Sequence, residues 1–152
     1  MPSKETVRKA KADLRQGKSP TTAAGEFVRE EIEHIREGKH GARSTKQAIA
    51  IGLSKARRAG VPLKPPKRAT PETRKKAERD HAVGTGRRKP TRTASRRRAR
   101  AVRQALKKEP RRVVSRAALS RHAKRAATRR SHAQRVAAAK KGWATRRRNQ
   151  RH

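Results

Sequence analysis

The chain has 152 residues, 47 of them Lys or Arg against 11 Asp or Glu, giving a formal net charge of +36 and a sequence pI near 12.0. Only 20 residues are large and apolar, about 13%, under the roughly 20% below which a highly charged chain is expected to be largely disordered. With no Cys there is no disulfide framework, thiol nucleophile or zinc finger, and no apolar run approaches a signal peptide or membrane span, so a cytoplasmic polycation that binds nucleic acid is the expectation.

Taken in chain order, residues 1–20 read as an N-terminal helix or arm, with a weak helix from about Lys4 to Gln16. Residues 21–61 read as a helical hairpin. Thr21 or Thr22 can cap its first helix, on which Val28, Ile32 and Ile35 recur at spacings of four and three until Gly38. This helix carries Glu26, Glu30, Glu31, Glu33 and Glu37, five of the seven acids in residues 1–66. The second helix opens with Ser44-x-x-Gln47, a capping-box spelling, presents Ile49, Leu53 and Ala56 on one face, and stops at Gly60. Gly52 would allow the two backbones to approach closely. Pro62, Pro65 and Pro66 make residues 62–70 an extended hinge.

The hinge also divides the charge. Residues 1–66 hold 15 Lys or Arg and 7 acids, whereas residues 67–152 hold 32 and 4. Residues 71–152 therefore read as a polycationic tail, with basic helices near 71–82, 95–108 and 113–148, the last divided where Ser131-x-x-Gln134 offers a new cap. Alanine favours helix but buries little area, and like charges crowd these segments. The expected fold class is all-α: a small N-terminal helical hairpin plus an Arg/Ala-rich, partly disordered helical tail.

Arginine forks spread along such helices can follow phosphates without reading bases. The candidate contacts are Arg87, Arg88, Arg96, Arg97, Arg98, Arg100, Arg103, Arg111, Arg112, Arg116, Arg121, Arg129, Arg130, Arg146, Arg147 and Arg148. Trp143 either stacks on a base or anchors its own helix against Val136 and Ala139. The five Glu of the first hairpin helix are either a protein-docking or autoinhibitory surface, or simply balance local charge. Glu30 and His34 stand four apart, too sparse a pair to imply a metal, so no metal or other cofactor is expected. His34, His40, His81, His122, His132 and His152 are scattered, and no phosphate-binding glycine loop or hydrolase motif occurs, which argues against an enzyme or a small-molecule substrate.

Residues 25–61 carry a GK turn and the helix SxKQAIAIGLSxARxAG, Ser44 to Gly60 here, and so resemble a family of small, very basic bacterial proteins of unassigned function described as DNA-binding. The resemblance implies a bacterial cytosolic protein and carries no functional residues. The tail is similar in composition to histone-like proteins. Together these readings lead to a non-sequence-specific, nucleoid-associated duplex-DNA-binding protein. The alternatives are an RNA-binding structural protein of ribosomal type and a docking adaptor working through the acidic helix. A hairpin this short is also expected to need self-association or docking onto something else, and a second copy could pack on Phe27, Val28, Ile32 and Ile35 opposite Ile49 and Leu53.

Overall fold

The computed structural model describes residues 2–66, 69–89 and 96–150, without the side chains of Arg96 and Arg98. It is all-α. Seven α-helices run in order, α1 (Lys4–Arg15), α2 (Pro20–Arg36), α3 (Thr45–Arg58), α4 (Pro71–Gly84), α5 (Arg96–Lys108), α6 (Arg116–Thr128) and α7 (His132–Asn149), with a 3-10 turn at Arg112–Val114 and no strand among the described residues. They fall into two compact units, Met1–Val114 and Ser115–His152.

Local chemistry sets most helix ends. The α2 cap is Ser19 rather than Thr21 or Thr22. Its Oγ accepts from the Thr22 amide at 3.2 Å, and Pro20, with no amide proton to leave unsatisfied, occupies the first helical position. At α3 the Ser44 hydroxyl accepts from the Gln47 amide, but the Gln47 side chain reaches back to the amide of Arg43, one residue before the cap. The α3 C-terminus closes at Gly60, whose φ of +90° is natural only for glycine. There the Gly60 amide donates to the Arg57 carbonyl and the Val61 amide to that of Ala56, satisfying two terminal carbonyls. The box at Ser131 and Gln134 is made in both directions and divides α6 from α7.

In the first unit α1 packs on α2, α2 on α3 and α3 on α4. The tightest crossing is at Gly52, where a β-carbon would lie 2.7 Å from the Val28 Cα. One core cluster joins Ala10 of α1, Ala23, Ala24 and Phe27 of α2, Ala56 of α3, and Val61 and Leu63. A second joins Ile35, Ala42, Ala48 and Val114, with Ile32 and Val113 against it.

These clusters change the division read from sequence. The start of the 62–70 hinge is part of the core, since Leu63 is buried and its carbonyl accepts from Arg57 Nε at 3.3 Å. Helix α4, read as the start of the tail at 71, packs on α3: Ala77 and Asp80 are buried, and the Ser54 hydroxyl donates to Asp80 Oδ2 at 2.5 Å. The first unit closes only at Val114. That side chain is fully buried, the Arg36 guanidinium donates to its carbonyl at 3.2 Å, and the Thr45 hydroxyl donates to that of Val113 at 2.6 Å. The end of α5 is tied to the α2–α3 turn, where the Gly41 amide donates to the Leu106 carbonyl at 2.7 Å.

Part of the expected dimer face is covered from within the chain. Phe27 and Ile35 have no exposed surface, and Val28, Ile32, Ile49 and Leu53 are half-buried. Helix α1, residues 61–63 and Val114 supply the cover that a hairpin alone would lack.

Candidate nucleic-acid interface

The second unit has no interior. Neither α6 nor α7 contains a buried residue, so its helicity rests on serine caps and alanine propensity rather than packing. Ser115–His152 contains 13 Lys or Arg and no Asp or Glu. The unit has no acidic side chain to balance them. Arg116, Arg121, Arg129 and Arg130 are exposed on α6 and just past its end, and Arg146, Arg147 and Arg148 are exposed in the last turn of α7, where the negative helix end favours them. Trp143 is 67% exposed and shares a face with Val136, Ala139, Lys140, Ala144 and Arg147. Its neighbours are those expected of an anchored ring, but most of the indole faces outward.

The other candidate cations lie in the first unit. On α5, Arg97, Arg100 and Arg103 line one face together with Gln104 and Lys107, two residues sequence reading passed over because it counted only arginine runs. Arg87 and Arg88 are exposed in the turn after α4. Arg111 and Arg112 are exposed at the 3-10 turn, Arg111 lying against Gly38. Arg96 and Arg98 belong to the first turn of α5, and their side chains fall outside the described residues.

The acidic helix does not offer its charges outward as a patch. Glu26 pairs with Arg29, and Glu37 with Lys39 at 2.8 Å. Glu30 is buried and accepts from the Ser3 amide at 2.7 Å, while Glu31 has no exposed surface and accepts from Lys55 Nζ at 2.5 Å. Local charge balance accounts for Glu26 and Glu37, Glu30 and Glu31 are turned inward, and Glu33 alone is exposed without such a pairing in view.

Residues 3–68 match the model of a family of unknown function (DUF6496). The match takes in α1, α2, α3 and the Leu63 segment, fits the unassigned function implied by the hairpin motif, and stops before α4. No curated protein and no solved structure matches the chain. Among the described residues, no helix is long and apolar enough to cross a membrane.

Proposed function

We propose that the chain is a non-enzymatic protein that binds duplex DNA through phosphates without reading its sequence, in the manner of a nucleoid-associated, histone-like factor. The observation that carries this reading is the unit Ser115–His152, whose 13 basic residues have no acidic residue beside them in the unit and whose helices bury nothing. Such helices carry no acidic side chain to balance their charge, and binding a polyanion releases the counterions it has condensed. Geometry allows it. The 18 residues of α7 span about 27 Å at 1.5 Å per residue, and a duplex offers one phosphate per about 1.7 Å of axis. The six Lys and Arg of α7 therefore meet more acceptors than they can use.

The test is a binding titration of the full chain on unrelated duplexes over a range of salt. Similar affinities are expected for all of them, with log K falling by about 0.9 per log unit of salt for each phosphate neutralised. A strong preference for one sequence that persists at high salt overturns the reading. In cells, nucleoid association that survives RNase and is lost to DNase supports DNA; the reverse assigns the interface to structured RNA.

A further inference from the structure

The buried side of α2 holds a constellation that charge balance does not explain. Glu31, His34 and His40 each offer a ligand atom, and the three atoms lie within 4.8 Å of one another. The two buried side-chain atoms that make no hydrogen bond among the described residues are both here, Glu30 Oε2 and Glu31 Oε1. A buried carboxylate oxygen left without a donor is costly, and Glu31 Oε1 sits 3.3 Å from His40 Nε2.

The hydrogen bonds set the chemistry of that pair. His40 Nδ1 is 3.1 Å from the Gly41 carbonyl, which can only accept, so Nδ1 carries a proton and Nε2 faces the carboxylate. Either a proton on Nε2 or a metal cation between the two atoms would satisfy Glu31 Oε1. Ligand atoms about 2.0–2.2 Å from a tetrahedral zinc-like ion stand about 3.3–3.5 Å apart, which is the separation seen. An imidazole whose other nitrogen donates to a backbone carbonyl is also how metal-bound histidines are commonly held. His34 is the member that must move inward.

We propose that Glu31, His34 and His40 bind a divalent transition-metal cation of the zinc class through one carboxylate oxygen and two imidazoles. Lys55 occupies Glu31 Oε2 and its charge opposes a cation at Oε1, while Glu30, 3.9 Å from His34 Nε2, adds negative charge beside the site. Two nitrogens and one oxygen suit zinc, cobalt or nickel better than calcium or magnesium, which take oxygen shells. The ion would tie α2 to the turn whose next residue, Gly41, holds the end of Arg-rich α5. It would thus act as a staple between the hairpin and that helix.

The test uses the untagged full chain, freed of nucleic acid by nuclease and high salt, titrated with Co2+ and followed by visible absorption. One Co2+ per chain with a four-coordinate spectrum is expected, and zinc should displace it and raise Tm. His34→Gln and His40→Gln should each weaken Co2+ binding by more than about 100-fold, beyond the 10- to 100-fold that loss of an outer partner costs. His81, His122, His132 and His152 remain in these variants and control for loose histidine binding. Lys55→Met, which removes no ligand but takes away a competing positive charge, should tighten binding. Undiminished Co2+ affinity in the two histidine variants overturns the proposal. So does a wild-type chain without the four-coordinate spectrum. If a histidine variant loses its helicity by circular dichroism, Lys55→Met decides: affinity unchanged or weakened overturns the site.

Discussion

Alanine is used in opposite ways in the two units. In Met1–Val114 it is the commonest core residue, seven of the twelve buried hydrophobic residues being Ala10, Ala23, Ala24, Ala42, Ala48, Ala56 and Ala77. In Ser115–His152, α6 and α7 carry ten alanines and bury none. The helices are capped alike and of similar length. What separates them is a few large side chains opposite the alanines. Phe27, Ile35, Leu63 and Val114 fill the space that small residues open between closely crossing helices, whereas around α6 and α7 those places are taken by Arg and Lys. Composition sets how much core is available; the placement of a handful of large residues decides where it forms.

The largest effect that would break this comparison is on binding. Removing Ser115–His152 should lower affinity for duplex DNA by about 1,000-fold or more at low salt and flatten its salt dependence by several units, because 13 Lys or Arg and no Asp or Glu go with it. Near-normal binding by residues 1–114 would move the interface to α5 and the turns of the first unit. Next in size is the core. Phe27→Ala should cost about 3–5 kcal/mol in denaturant unfolding, while Trp143→Ala, at a ring 67% exposed, should change stability by no more than about 0.5 kcal/mol. Equal effects would mean that the second unit has packing of its own.

Gly52→Ala is a smaller probe of the same contrast. The added carbon meets the Val28 backbone at 2.7 Å, so the α2–α3 crossing should open at a cost of about 1–3 kcal/mol, whereas Gly142→Ala in α7, with nothing within 4 Å, should raise helicity. The smallest effect is at a cap. Ser131→Ala should cost α7 about 1 kcal/mol of helix stability, visible in circular dichroism, and leave the thermal transition of the first unit where it was.

Much of the secondary structure was legible because its determinants are local. Ser44, Thr70-Pro71 and the Ser131-x-x-Gln134 box start helices where their spelling says they should, and Gly38 and Gly60 stop them. Ser19 was missed because two threonines after a proline look like better caps than the serine before it. The tertiary partners were not legible. Asp80 finds Ser54 and Val114 finds Ile35 across stretches of 26 and 79 residues, and no periodicity records such pairings. A signal was nonetheless present: Val113 and Val114 are the one adjacent pair of large apolar residues in the basic half. His40 joins Glu31 and His34 only because the turn folds back. Spacing therefore exposed Glu30 and His34 but concealed the trio. The exposed arginines needed no tertiary information, since a run without acids has nothing in its own segment to pair with.

Val114 also imposes an order on how the first unit is assembled. The hairpin contacts are near neighbours in sequence and close quickly, but the seat formed by Ile35, Ala42 and Ala48 stays open until residue 114 has been made. Joining Arg36 to the Val114 carbonyl closes a loop of 78 residues, at a chain-entropy cost on the order of 4 kcal/mol. That cost comes close to what one buried valine and two hydrogen bonds return. During synthesis the hairpin must therefore wait with an uncovered end until residue 114 has been made, and in the finished protein the 112–114 turn is the first piece of this unit expected to lift away on warming, with its amides exchanging before those of α2 and α3.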